Sequence, residues 1–314
     1  MRVETRVQVK RSFLRLSLTQ REAIAFYLFI SPWLLGFLLF TLGPMIAAFL
    51  LSFTFYDVIS PPRWVWFENY RIMFTTDPLF WQALKVTFIY VFGSVPLHLG
   101  AALFVALLMN QPLPGIYFFR TVYYLPSIIG GVPVALLWLW IYNPSFGIAN
   151  WLLSLVGIKG PQWLFDEFWV IPALIIMGLW GIGGAMLVFL AALQGIPRHL
   201  YEAAQLDGAG VLAQFRHVTL PMLSPVIFFN LVMGIIHSFQ VFTNVFIMTQ
   251  GGPANASLVY VLHLYRNAFS YFKMGYAAAL AWFLFLVILV ITLLIIKSSP
   301  AWVYYEGMRG GRQT

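Results

Sequence analysis

Two groups of residues in this chain have types and spacings that could do chemistry. The first lies between two apolar runs and reads Gly195-Ile196-Pro197-Arg198-His199-Leu200-Tyr201-Glu202-Ala203-Ala204-Gln205-Leu206-Asp207-Gly208, with Thr219-Leu220-Pro221 closing the segment. Pro197 suits the first turn of a helix, and Gly208 suits a left-handed cap at the C-terminus of that helix. A second short helix fits residues 211–217, with Pro221 marking entry to the next apolar run. The product is a helix–turn–helix hairpin. Its Ala203–Ala204 face could be approached closely by a partner, and Glu202 and Arg216 could orient that partner. An ordinary loop lying on a membrane surface is the other reading. The second group is Asn230, His237, Gln240 and Asn244, whose spacing predicts one helical stripe. Amides and imidazoles exchange hydrogen bonds with solute hydroxyls, and the same residue types also join helices to one another. Trp180, beside Gly181, Gly183 and Gly184, offers an apolar platform to a ring-shaped solute or packs against those glycines.

Other chemistries find no residues to carry them. The chain has no cysteine, so disulfides and thiolate metal sites are excluded. Its five histidines, His98, His199, His217, His237 and His263, lack metal-ligand spacing. A phosphate-cradling loop needs a Gly-Lys pair, and none occurs. The acidic residues all fall in predicted loops or tails, whereas ion-coupled pumps usually carry such groups inside the membrane. No converging nucleophile, acid or ligand set appears at depth, so a membrane-embedded enzyme is not expected. Active transport would then draw its energy from another polypeptide, docked on the cytoplasmic side.

The elements that must position these residues are membrane spans. Hydrophobic residues make up 61% of the 314, and charged residues only 9%, too few to cover a water-exposed globule. Apolar runs at about residues 26–55, 84–109, 116–142, 168–193, 223–248 and 276–296 are each long enough to cross a bilayer. Thr19-Gln20-Arg21-Glu22 fits a capping box that starts the first helix. Pro32, Gly43 and Pro44, then Gly93 and Pro96, then Gly130, Gly131 and Pro133 predict kinks, which membrane helices tolerate. Trp138, Trp140 and Trp282 read as interfacial belt residues, and His98 as a satisfied packing residue. With the N-terminus inside, 12 Lys and Arg lie on the cytoplasmic side and 6 outside, a distribution that obeys the positive-inside rule. The net charge of +8 therefore reads as an orientation signal held near anionic lipid rather than as a nucleic-acid surface.

Glu202-Ala203-Ala204, Gly208, Val218 and Leu220-Pro221 together resemble the EAA motif of ABC-importer permeases, EAA-x3-G-x9-I-x-L-P, with Val218 in place of Ile. The string from Glu202 to Ala209 is most similar to carbohydrate-uptake permeases of the maltose and glycerol-phosphate type. Ser31-Pro32-Trp33, Gly43-Pro44, Tyr124-Leu125-Pro126, Gln194-Gly195-Ile196-Pro197 and Gln250-Gly251-Gly252-Pro253, followed by Tyr265 and Phe269, resemble the same group, over about residues 26–298. The resemblance implies an all-α permease of the type I importer fold. It implies pairing with a second, similar permease, two copies of a cytoplasmic ATPase and an extracytoplasmic solute-binding protein. Glu202, Ala203, Ala204, Asp207, Gly208, Leu220 and Pro221 would then couple the spans to the ATPase.

The expected organisation is a cytoplasmic segment over residues 1–25, a permease domain over 26–298 with the hairpin at 196–221, and a cytoplasmic tail over 299–314. The expected function is ATP-driven import of a neutral sugar or oligosaccharide by alternating access, with no cofactor and no covalent chemistry. An ion-coupled secondary transporter and a glycerol-phosphate permease are the alternatives. The charge asymmetry also yields a topology test. Single cysteines at Ser17, Gln205 and Gln313 should resist an impermeant thiol reagent on intact cells, while one at Asn255 should react; labelling of position 205 from outside would overturn the orientation.

Overall fold

The computed structural model describes residues 17–304; the basic N-terminal stretch, most of the C-terminal tail and the label position Gln313 lie outside the described residues. The chain divides into two compact units, Met1–Leu50 and Leu51–Thr314.

In the first unit, helix α1 (Leu18–Phe37) begins at Ser17. The Ser17 hydroxyl accepts from the Gln20 amide, and the Ser17 amide donates to the Gln20 side chain at 3.0 Å. The capping box is thus Ser17-Leu18-Thr19-Gln20, not the expected one at Thr19–Glu22, and Glu22 lies inside the helix. Serine and threonine two residues apart both satisfy the pattern, and the earlier one takes the cap. A wide π turn over Leu38–Leu42 leads into α2 (Gly43–Leu51). Pro44 explains the turn, because its ring donates no hydrogen bond and crowds the preceding turn.

The second unit opens with a short hairpin of β1 (Thr54–Phe55) and β2 (Arg63–Trp64), then α3 (Glu68–Thr75). Helix α4 spans Pro78–Met109, with Asp77 as N-cap and Pro78 in the first turn. Next come α5 (Ile116–Ile128) and α6 (Gly131–Ile141), which meet at 103°. After α7 (Ile148–Leu155), α8 (Val170–Leu179) and α9 (Gly183–Gln194) meet at 48°. The third and fourth predicted spans are therefore broken rather than straight, at Gly130-Gly131 and at Trp180–Gly183. The hairpin follows as α10 (Arg198–Leu206) and α11 (Val211–Gln214), and a π turn over Phe215–Thr219 continues into α12 (Leu220–Phe239). The last elements are α13 (Thr243–Met248), α14 (Tyr260–Tyr265) and α15 (Met274–Ser298). Among the described residues, four helical stretches are long and apolar enough to cross a membrane, and the number is six when each bent pair counts as one span.

Helix α4 is the hub of the second unit. It packs against α8, α9, α12 and α14, and small residues let its neighbours approach. A Cβ on Gly93 would come within 2.8 Å of Ile175, and one on Gly178 within 2.6 Å of the His98 ring. One on Gly183 would overlap the backbone of Tyr123 and Tyr124. Trp138 departs from the expected belt. It is partly buried, with its ring 4.9 Å from that of Tyr142, which itself stacks on the buried Trp163.

At the outer end by the charge-derived orientation, Asp77 fastens three elements. Its carboxylate accepts from the Tyr276 hydroxyl at 2.6 Å, from His263 Nε2 at 2.8 Å and from the Leu79 amide at 2.9 Å. Nearby, the Tyr260 amide donates to the Thr87 hydroxyl and the Tyr260 hydroxyl donates to the Leu280 carbonyl. Burial opposes ionisation of Asp77. The hydrogen bonds from Tyr276 and His263 and the interaction with the His263 imidazole outweigh it, so the carboxyl ionises below its usual 3.8. Burial pushes the His263 imidazole below its usual 6.5, and Asp77 offsets only part of that. Both depressed values mean that the unfolded chain binds more protons, so stability is lost as pH falls. The His263 contribution begins to disappear below about 6.5, and the Asp77 contribution only below about 3.8. Amide exchange in α14 should accelerate when the pH drops through the imidazole range, and Asp77→Asn should raise exchange there already at neutral pH. Unchanged exchange in both cases would show that this cluster does not hold the loop.

Candidate functional site

The hairpin forms as an amphipathic device. Pro197 caps α10 rather than entering it, and no side chain bonds to that cap. At the other end, Gly208 adopts φ +79°, the left-handed geometry expected of it. The Ala209 amide donates to the Ala204 carbonyl at 2.9 Å and the Gly208 amide to the Gln205 carbonyl at 3.0 Å, closing the helix with two bonds. One face of α10 looks inward. Leu200 and Tyr201 pack with Val218 and Met222 against a core that includes buried Ile196, Phe189 and Leu223. The Tyr201 and Thr219 hydroxyls are 2.9 Å apart, and the Gln214 side chain donates to the Ala209 carbonyl at 2.8 Å. These bonds cross between the two limbs of the hairpin.

The other face looks out. Glu202, Ala203, Asp207 and Gly208 are exposed, and Ala204 is half-buried. Leu206 is 90% exposed, Val211 85% and Leu212 78%. Three large apolar side chains at the tip of a polar loop require cover from something other than water. Glu202 and Arg216 form no ion pair among the described residues, which leaves both charges available. Leu220 is exposed and Pro221 half-buried. Pro221 stands in the first turn of α12, as expected of the entry to that span. The second limb runs without interruption into α12 because proline is tolerated in a first helical turn and the preceding π turn absorbs its missing donor. The hairpin is thus one short helix joined to a long one.

The expected polar stripe divides. Asn230 and His237 line one cavity of 680 Å³ together with His98, Ser127 and Ser238. Trp180 and Asn244 line a smaller adjoining cavity of 190 Å³, and the two cavities share Ser127 and Gly181. Gln240 faces elsewhere, into an apolar groove between α12 and α15. Two physical reasons account for this. A step of ten residues from Asn230 to Gln240 turns a helix by about 80° away from alignment. Helix α12 also ends at Phe239, so Asn244 belongs to α13, which packs on α6. Asn230 spends its side-chain NH2 group on the Val226 carbonyl at 2.9 Å. His98 Nδ1 bonds the Ser94 carbonyl at 2.8 Å, so it is satisfied as expected and also faces the larger cavity.

The smaller cavity is where three interrupted helices meet. Ser127, Ile129 and Gly131 come from the break between α5 and α6, Gly178, Trp180 and Gly181 from that between α8 and α9, and Asn244 from just past the break between α12 and α13. Broken helices at membrane depth are tolerated where they are buried in protein or line a polar cavity, and such half-helix ends commonly build binding sites. Among the described residues, no Asp, Glu, Lys or Arg lines either cavity. Sequence reasoning missed Ser127, Ser238, Tyr201 and Thr219, since isolated hydroxyls in apolar runs carry no signature. It also missed the Asp77 cluster, although Asp77-Pro78 is a cap followed by a first-turn proline and could have been found.

Residues 86–302 match the family described as binding-protein-dependent transport system inner membrane component. The probable ABC transporter permease protein YesP of Bacillus subtilis is 46% identical over 291 residues, 91% of this chain and 94% of that protein. The trehalose/maltose transport system permease protein MalF of Thermococcus litoralis is 32% identical over 286 residues, 89% and 95% of the two chains. Among solved structures, a bacterial ABC transporter involved in the import of the acidic polysaccharide alginate matches with a TM-score of 0.79 and 28% identity, over 90% of this chain and 96% of that one. Its fold, its spans and the match over most of its length place this chain in the family of binding-protein-dependent transport system inner membrane components, the membrane-spanning permeases of ABC importers.

Proposed function

We propose that this permease carries a neutral sugar or oligosaccharide through the joined cavities, and that the 196–221 hairpin docks on a separate cytoplasmic ATPase that drives the movement. The observation that carries the coupling role is the outward face of the hairpin. It presents Glu202, Ala203, Asp207 and Gly208 beside three exposed apolar side chains, on a helix tied firmly to the bundle by Tyr201 and Thr219. A docking surface of this kind transmits force because its inner face is already packed. Two copies of the ATPase, a second permease completing the pathway and an extracytoplasmic binding protein make up the rest of the assembly. A relative structure holds the alginate transporter in complex with alginate pentasaccharide-bound periplasmic protein. In this reading residues 1–25 and 299–314 are cytoplasmic, in line with the Lys and Arg distribution.

The cavity lining supports an uncharged, hydroxyl-rich solute. Imidazole, amide and hydroxyl groups exchange hydrogen bonds with sugar hydroxyls, Trp180 supplies a flat apolar surface, and no basic side chain offers a phosphate partner. The names of related permeases point the same way, including one for arabinooligosaccharides and one for lactose. Alternating access would open the joined cavities first to one side and then to the other.

Two tests separate coupling from passage. Glu202→Lys reverses a docking charge, and Gly208→Val forces a side chain into left-handed geometry that costs about 1–2 kcal/mol. No atom lies within 4 Å of a Cβ at Gly208, so the bundle should fold in either variant. Copurification of the ATPase, or stimulation of its hydrolysis by loaded binding protein, should fall about tenfold, the loss expected for one important interface residue. Wild-type association and stimulation in both would remove the coupling role. For passage, His237→Leu and Asn244→Leu should each lower uptake about tenfold with the ATPase still bound, as expected for roughly 1.4 kcal/mol of lost hydrogen bonding. Gln240→Leu, facing the separate groove, should transport normally; equal losses at all three positions would overturn the assignment of the cavities as the path.

A further inference from the structure

The base of α12 lacks one backbone hydrogen bond, and the serine that replaces it also holds the segment that follows α15. Pro221 and Pro225 stand four residues apart at the start of this helix. In an α-helix the carbonyl of residue 221 would accept from the amide of residue 225, but proline has no N–H. The Ser224 hydroxyl fills the gap by donating to the Pro221 carbonyl at 2.6 Å. The same oxygen accepts from the Tyr304 amide at 2.8 Å. Ser224 is buried, as are Ser299 and Val303, and the Trp302 ring meets the Phe228 ring edge-on at 6.0 Å. Residues 299–304, which follow α15, therefore lie against a proline-weakened joint between the hairpin and span five.

A helix missing a backbone bond bends more readily than its neighbours. Left alone, this joint would let the hairpin tilt without moving the spans. We propose that Ser224 and the 299–304 segment brace the joint, so that displacement of the hairpin moves the cytoplasmic end of α15 together with α12. Ser224 acts here as a positioning residue. This inference rests on the coupling role proposed for the hairpin. It adds that the sixth span is driven through a contact at residue 304, in addition to whatever the chain connectivity of span five transmits.

The test uses the assembled transporter, with ATPase, second permease and binding protein, in proteoliposomes. Spin labels are placed on the exposed second limb at His217→Cys and near the end of α15 at Lys297→Cys, and their separation is measured before and after trapping with ATP and vanadate. With an intact brace the separation stays constant, because both sites move as one body. Ser224→Ala removes the shared hydroxyl, and Tyr304→Pro removes the opposing N–H without touching the bond to Pro221. Each should let the separation change on trapping by a few Å, the usual size of helix shifts in switching proteins. The double variant should change no further, since both substitutions break the same bond. A constant separation in both variants, or a changing one in the unmodified brace, overturns the proposal. Should Ser224→Ala fail to assemble, Tyr304→Pro alone decides, because it lies at the end of the last span. If the hairpin is not the docking element, ATPase binding and the response to ATP will survive Glu202→Lys, which removes both readings; failure of the brace alone leaves that dependence intact.

Discussion

Inside hydrocarbon a peptide group must find its hydrogen-bond partner within the protein, and this constraint organises the chain around its interruptions. A straight span meets the constraint unaided. A broken one cannot, so the break must be sheltered by neighbours or open onto a polar space. Here residues flanking three breaks line one cavity, at Gly131, at Trp180 and Gly181, and at Asn244. Their convergence shelters the exposed backbone and at the same time leaves a small polar space between them. The remaining architecture serves that arrangement. Helix α4 stays unbroken over 32 residues and offers the surface on which the interrupted helices pack.

In the proposed mechanism, force and passage fall to different parts of α12 and its extensions. The N-terminal limb carries the hairpin, stiffened by the Tyr201–Thr219 contact, and the middle carries Asn230 and His237 into the larger cavity. One continuous element therefore joins the docking surface to the cavity wall. Once braced at Ser224, a connection of this kind is a physical basis for coupling two distant sites, because any displacement at one end must be accommodated at the other. The outer end is held separately, by Asp77 and its three partners, so the two ends of the bundle are fastened by different chemistry: buried polar bonds above, apolar packing and hydroxyl contacts below.

Much of this was legible in the residues. Membrane spans follow from uninterrupted apolar runs, and Gly208 announces its left-handed turn because few other residues tolerate one. The hairpin boundaries were readable for the same reason, with Pro197 and Gly208 bracketing α10. The break at Gln240 was not, since Phe239-Gln240-Val241-Phe242-Thr243 contains neither proline nor glycine. That one unsignalled break carried Asn244 into a second cavity, while the ten-residue step from Asn230 turned Gln240 toward a third surface. The sharp bend between α5 and α6 was half legible. Gly130 and Gly131 permit it, but its size depends on packing against Gly183 and the α13 helix, which spacing alone cannot convey. Pro221 marked the entry to α12 correctly, but the unbroken run from the second limb was not legible, because it depends on the π turn over Phe215–Thr219.

The contact between Gly178 and His98 ties the history of the wall to that of the scaffold. The His98 ring occupies the space that any side chain at position 178 would need. A lineage changing position 98 to suit a different solute would alter the room available to α8, and a lineage that gained even a methyl group at 178 would have to move or shrink residue 98 first. The two positions are therefore sterically linked: residue 98 can shrink while 178 stays glycine, but 178 can gain a side chain only if the ring at 98 gives way.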